Sequence, residues 1–350
     1  MGRLFALCSF AVLSYLMHII AHELGHLIIG LITGWRFVAL QVFYIAITKD
    51  KALQIKCLPS LSCQCVMSPK TPTQSSVLYT LGGLIMNLII TLVCLWGLMK
   101  NSIGELVWIF SFCSFACGLL MLILNGIPGT KGVCNDMACL LLCIKEKNTK
   151  YYHNIQLMTA GQLSKGLSYR QCGQVLGLMR PGKMGNDIIA YQTVLEFYYY
   201  LDCTSYSLAE NILKRIDLSA QVSLGVRKII KLEVLFLDML MGILHKDVVE
   251  PDRKSYDFDI DGYIRKHDVK GDVHAARVKA VWAAYQNYMG GDIPAGIRSL
   301  DQAVVKLQAM ECLYPGEKLF CLDQLIAIRN IFWRDSVKMD LKTPESKCEA

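Results

Sequence analysis

Charge is scarce in this chain. Of its 350 residues only 19% are Asp, Glu, Lys or Arg, against about 25% in an ordinary soluble domain. Hydrophobic residues make up 53% and the mean hydropathy is +0.36, a balance that suits some membrane spans joined to a soluble part. The net charge of +7 is spread out. No Lys/Arg-dense block with interleaved aromatics occurs, which argues against nucleic acid as a partner. No small-residue cleavage site closes the N-terminal apolar run, and that run is too long for the core of a removable leader, although Arg3 precedes it. The 15 cysteines are odd in number and scattered through apolar stretches, Cys94, Cys113 and Cys117 among them. They read as small hydrophobes in a chain facing a reducing compartment, not as a disulfide framework. Cys63 and Cys65 are closer together than structural zinc ligands usually are, and read as free thiols.

What is present is length of apolar run. Residues 4–32, 76–99 and 103–124 each reach the roughly 20 residues a spanning helix needs. The third run breaks and resumes as a shorter segment over 136–144. After Lys145 the pattern becomes amphipathic helix with frequent charge. The fold expected is mostly α: a polytopic membrane core of three spans over 1–148, then a soluble helical domain over 149–350. A small β-hairpin is expected between the first two spans, where residues 37–57 carry two β-rich runs around Lys49-Asp50-Lys51. A turn-rich Ser68-Pro69-Lys70-Thr71-Pro72 then leads to the second span.

The basic residues orient the spans. Arg36, Lys49, Lys51, Lys56 and Lys70 lie in the loop after the first span, and Lys145, Lys147 and Lys150 follow the last apolar segment. Three crossings put both groups on one side. That side is expected to be the cytoplasm, with the chain a multi-pass protein of a bacterial plasma membrane in contact with lipid.

Residues 22–26 read His-Glu-Leu-Gly-His. On a helix His22 and His26 share a face, so both imidazoles can meet one metal ion, while Glu23 can reach a metal-bound water without being a ligand. Zinc lowers the pKa of such a water towards about 7, and the carboxylate can take its proton. In a soluble helix this short pattern is often only a solvated face. Here it lies inside an apolar run, where a charged group costs at least about 2.5–3.5 kcal/mol, so a polar cluster needs a reason to be there. His18 falls on the same face, two turns from His26. It reads as a second ligand-supporting or pore-lining group, with direct ligation as the other option.

Catalytic zinc usually has three protein ligands and an open position. The broken third span, Leu124-Asn-Gly-Ile-Pro-Gly-Thr-Lys-Gly-Val-Cys-Asn-Asp136, offers Asp136. Irregular backbone at membrane depth is tolerated where it is buried in protein or lines a wet cavity. His26 lies about six residues from the end of its run and Asp136 about eight from its own, so at about 1.5 Å per residue their depths agree. Asp136 can otherwise serve as the N-cap of the terminal half-helix. In the second run, Gly82 and Gly83 permit close helix approach. Asn87 is a buried amide that acts either as helix–helix glue or as support for substrate or active-site loop.

These features together, an H-E-x-x-H in the first span, a β-rich segment, G-G-x-x-x-N, then Asn-x-x-Pro leading to Asp, resemble the site-2 protease family of intramembrane metallopeptidases over about residues 15–145. The resemblance implies His22, His26 and Asp136 as ligands of one Zn2+ and Glu23 as general base. It also implies that Asn87, Asn125 and Pro128 support the active site. One departure is that Met137, not Gly, follows the aspartate, and the loop from Pro128 is longer than usual.

The resemblance stops before the C-terminal part, which shows no PDZ-like or CBS-like appendage. Gly291-Asp292, Gly296, Leu300 and Ala303 fall near tetratricopeptide positions, and Tyr200, Ala209 and Leu213 suggest a second helical hairpin. The two are out of step by the 34-residue period, so a plain helical bundle is the other reading. Such a surface could bind a protein partner. The expected activity is hydrolysis of membrane-embedded or membrane-proximal peptide. The alternative is a non-catalytic membrane scaffold with a structural or degenerate metal site, against which the intact Glu23 speaks. A metal transporter would need more spans.

Overall fold

The computed structural model describes residues 2–49, 52–100, 104–129, 135–177, 186–215, 222–245, 260–266 and 271–342. The turn residues Asp50 and Lys51, and residues 130–134 of the broken third span, lie outside them.

Three helices are long and apolar enough to cross a membrane. They are α1 (Gly2–Ile32), α2 (Val77–Leu98) and α3 (Glu105–Gly126), and their limits match the apolar runs closely. The bundle they form is inverted relative to a water-soluble one. Phe5, Val12, Val93, Trp96, Leu106 and Ile123 are exposed on its outside, while Ser14, His18, His22, His26, Thr80, Asn87, Thr91 and Ser114 are buried within it. Apolar surface of that extent suits hydrocarbon rather than water. Four of the five buried polar side chains of α1 fall at intervals of four, Ser14, His18, His22 and His26, one stripe on one face, and Glu23 is the fifth.

The stripe can face α2 because the two backbones come close. A Cβ on Gly25 would stand 2.3 Å from the carbonyl oxygen of Gly82, and one on Gly82 would stand 2.6 Å from that of Gly25. Small residues at such a crossing let van der Waals packing hold helices that have no hydrophobic drive to associate in lipid.

Between α1 and α2 runs an antiparallel hairpin of β1 (Arg36–Lys49) and β2 (Leu53–Ser68). It is longer than the hairpin expected over 37–57, since β2 continues eleven residues past Cys57. The ladder is interrupted there: Ile45 pairs with Cys57 and Phe43 with Ser62. Residues 58–61 bulge out, and Pro59, which lacks an N–H to give to a ladder, falls in the bulge. Phe43 takes a φ of +55° beside it.

The short α4 (Asp136–Lys145) follows the broken span, as the sequence suggests, and α5 (Lys147–Leu163) succeeds it at once. Helix α5 joins the two halves. Its Asn154 donates from Nδ2 to the carbonyls of Pro72 and Gln74, both at 2.8 Å, and its Leu157 packs on the hairpin.

The remaining helices are α6 (Gly173–Leu176), α7 (Asp187–Asp202), α8 (Tyr206–Leu213), α9 (Leu224–His245), α10 (Ile260–Lys266), α11 (Val273–Met289), α12 (Ile293–Ala309) and α13 (Pro315–Lys342). One hydrophobic core runs through them from Cys143 to Phe332. Its centre is ionic. Arg277 of α11 is fully buried, paired with Glu233 of α9 and stacked over Phe236 at 3.9 Å, and Tyr198 of α7 donates to Glu233 at 2.8 Å. Both suggested hairpins exist as helix pairs, α7 with α8 and α11 with α12. Asp292 caps α12 by accepting from the Ala295 N–H at 2.9 Å, and Leu300, Ala209 and Leu213 are buried. No cysteine among the described residues is in a disulfide.

The Gly25–Gly82 contact can be probed directly. Gly25→Ala inserts a methyl where only backbone stands opposite, so the helices must separate. We expect destabilisation of about 1–3 kcal/mol, read as a lower unfolding temperature in detergent. An unchanged temperature would show that the crossing is loose.

Candidate metal centre

The structure brings His22, His26 and Asp136 together. His22 Nε2 lies 2.8 Å from Asp136 Oδ2, His26 Nε2 lies 3.2 Å from the same oxygen, and the two Nε2 atoms are 3.2 Å apart. These three side chains form a group able to hold a metal ion. The fit to zinc can be checked on size. Donors at about 2.0–2.1 Å in a tetrahedron stand about 3.3–3.4 Å from one another, so the trio is close to the needed triangle and slightly contracted.

Donor chemistry agrees. His26 Nδ1 lies 2.8 Å from the backbone carbonyl oxygen of Tyr79. A carbonyl only accepts, so Nδ1 carries the hydrogen and Nε2 of the neutral ring is a bare lone pair facing the other two donors. Tyr79 is itself anchored: its hydroxyl donates to the Cys65 carbonyl at 2.7 Å and its ring stacks on Trp35 at 4.5 Å. Beside His22 the α2 backbone is cut away. A Cβ on Gly83 would stand 2.5–2.6 Å from three atoms of the His22 ring, so only glycine leaves room for it.

Asp136 is free to face the histidines because another residue caps α4. Asn135 is the N-cap, its Oδ1 accepting from the Ala138 N–H at 3.0 Å. The same side chain donates to the carbonyls of Leu124 and Ile127 at 2.8 and 2.6 Å, tying the end of α3 to the start of α4 across the break. The cap role weighed for Asp136 thus belongs to Asn135.

All three donors open onto one cleft of about 610 Å³. Glu23, buried, lies on its wall, with Asn125 and His153. Asn125 also donates to the Met121 carbonyl one turn back at 3.3 Å. Leu61 to Cys65 of β2 form another part of the wall, which places the Cys63 and Cys65 thiols at the cleft. His18 is not at the trio. It contacts Asn87 and Ser114 behind His22, and both His18 and Asn87 are 0% exposed. Pro128 is exposed and lies off the cleft wall.

Sequence reasoning missed Asn135, Tyr79 and His153. An Asn directly before the aspartate of a new helix is a cap signal that could have been read. Tyr79 acts through its backbone, which carries no sequence signal. His153 sits in a polar helix beyond the apolar runs, and only the packing of α5 against α4 and β2 brings it to the cleft. Its ring lies 3.8 Å from Cys139 Sγ.

No family model, no curated protein and no solved structure matches this chain.

Burial pushes His153 down to about 4 from its ordinary 6.5, so it is neutral near pH 7. The unfolded chain then binds a proton that the folded chain refuses between pH 6.5 and about 4. Stability from this group is present above 6.5 and is lost as pH falls through that window. His153→Gln is therefore expected to lose less unfolding temperature than wild type between about pH 7 and pH 4. Equal losses would show that His153 is solvated in the folded protein.

Proposed function

We propose that this chain is an intramembrane zinc endopeptidase, similar in its membrane part to the site-2 protease family. The observation that carries the reading is the convergence of two imidazole nitrogens and one carboxylate oxygen within 3.2 Å, on a cleft that also holds the buried carboxylate of Glu23, inside a bundle of apolar helices.

One Zn2+ held by His22, His26 and Asp136 would activate a water at neutral pH and polarise a peptide carbonyl. The chain's own groups do the rest. Glu23 follows His22 directly and lines the same cleft, so its carboxylate can take the proton from the attacking water and pass it to the departing amine. His26 keeps its Nε2 bare through the bond that its Nδ1 makes to the Tyr79 carbonyl. Asn125 offers an amide at the wall to a substrate backbone. Residues of α1, α3 and β2 line the cleft and would shield the reacting atoms from lipid.

The substrate class follows from the setting: peptide embedded in the membrane or close to its surface. A purely structural metal site would leave Glu23 without purpose, since a buried carboxylate in an apolar helix is costly unless used. We place residues 1–148 in the membrane, and the helical part that follows in the cytoplasm on the strength of the basic loops. The helix pairs α7–α8 and α11–α12 support a tetratricopeptide-like reading of that part, with recruitment of a protein partner or substrate as its role.

Protein purified in detergent should carry one zinc per chain and cleave a model membrane peptide. Glu23→Gln should keep its zinc and lose about 10²–10⁴-fold in rate. Asp136→Ala should lose most of its zinc affinity. Cleavage by Glu23→Gln at the wild-type rate would sink the catalytic claim.

A further inference from the structure

His18 is buried one turn before the metal trio and touches none of its donor atoms. Its Nε2 faces Ser114, with the backbone carbonyl at 2.9 Å and the hydroxyl at 3.2 Å. The carbonyl can only accept, so Nε2 carries the hydrogen. In the neutral ring Nδ1 is then a bare acceptor. Facing it at 3.1 Å is the side-chain amide of Asn87, placed with Oδ1 towards His18 and with Nδ2 3.1 Å from His22 Nδ1.

An amide that bridges two rings offers an oxygen to one and an NH2 to the other, and a half-turn exchanges them. With the oxygen towards His18, either Nε2 would turn its lone pair on a carbonyl 2.9 Å away to accept from the Ser114 hydroxyl at 3.2 Å, or both ring nitrogens would need hydrogens. His18 would then be a cation with no exposed surface at a depth where charge is expensive. A half-turn of the amide, which sets the NH2 against His18 and the oxygen against His22, removes both costs. An oxygen opposite His22 Nδ1 calls for a hydrogen on that nitrogen. His22 Nε2 is left bare, pointing at Asp136 Oδ2 from 2.8 Å.

His26 reaches the same state by a separate route, through the Tyr79 carbonyl. Three electron-pair donors then meet at 2.8–3.2 Å with no hydrogen among them. Such a triangle is repulsive unless a cation sits against it, which is what a metal site requires.

We propose that His18 is a positioning residue: through Asn87 it decides which nitrogen of His22 carries the hydrogen, and so holds His22 Nε2 ready as a zinc ligand. The inference rests on the zinc reading. The chain runs Ser114 carbonyl, His18, Asn87, His22, and each member's direction follows from the one before. No proton is gained or lost along it. Ser114 is on α3, Asn87 on α2 and both histidines on α1, so the relay also makes the state of the ligand depend on the packing of all three apolar helices.

The test uses the full-length protein in detergent, with zinc affinity read by competition against a fluorescent chelator. Histidine tautomers are read by 15N NMR of the zinc-bound protein. Wild type should show the hydrogen of His18 on Nε2 and a hydrogen-bonded, bare Nδ1. His18→Leu should weaken zinc binding about 10-fold, at the low end of the roughly 10–100-fold seen when a ligand's outer partner is altered. His18→Asn places an oxygen near the position of Nδ1, can still accept from Asn87, and should recover most of the loss. Asn87→Leu should weaken binding by a similar factor, and the double variant should be no weaker than Asn87→Leu alone, because both cuts fall on one path.

Unchanged affinity in His18→Leu, or a hydrogen on Nδ1 of His18 in wild type, would overturn the relay and leave the metal site standing. Complete loss of zinc in His18→Leu with full retention in Asn87→Leu would make His18 a direct ligand and also overturn it. Absence of zinc binding in wild type would overturn the site and the relay together. Should His18→Leu fail to fold, the wild-type tautomer decides the matter alone.

Discussion

A polar side chain in an apolar helix has no water to turn to, and every hydrogen bond it makes must be found within the protein. The arrangement of α1, α2 and α3 follows from that constraint. Helix α1 carries a stripe of Ser14, His18, His22 and His26, and all four are buried because α2 and α3 close over them. Closure is possible because Gly25 and Gly82 let two backbones meet and Gly83 leaves a hollow for an imidazole. Remove the small residues and the stripe would face hydrocarbon.

The same constraint explains how the partners are chosen. His26 uses a backbone carbonyl of α2, His18 a backbone carbonyl of α3, and Asn87 stands between His18 and His22. Carbonyls are directional clamps: they accept and never give, so each one settles where a hydrogen sits on the ring it touches. The inward nitrogens of His22 and His26 stand within 3.2 Å of the Asp136 carboxylate, a grouping able to hold a metal ion.

The C-terminal half is built the other way round. Its core is apolar, with one buried ion pair, Arg277 with Glu233, whose cost is offset by a tyrosine hydroxyl and by the ring of Phe236. It reaches the half with the apolar helices through α5, which is bonded to the loop ahead of α2 and packed on β2. The cleft therefore has a wall from each half: His22, Glu23 and His26 from one side and His153 from the other.

Much of this was legible in the residues. Length and hydropathy set the three apolar helices, because a helix in lipid needs about twenty apolar residues and little else. The four-residue spacing of His22 and His26 put both on one face, because the helix period requires it. Other features belong to the tertiary structure. The continuation of β2 past Pro59 depends on a bulge opposite Tyr44, which no local propensity announces. The freedom of Asp136 depends on Asn135 taking the cap, and its aim depends on α3 and α4 folding back on α1. Tyr79 matters through a carbonyl that every residue possesses. The sequence by itself determined which side chains could bind a metal, since that is a property of residue type and helical period; only the tertiary structure decided which atoms meet, since that is set by contacts between residues as many as 114 positions apart.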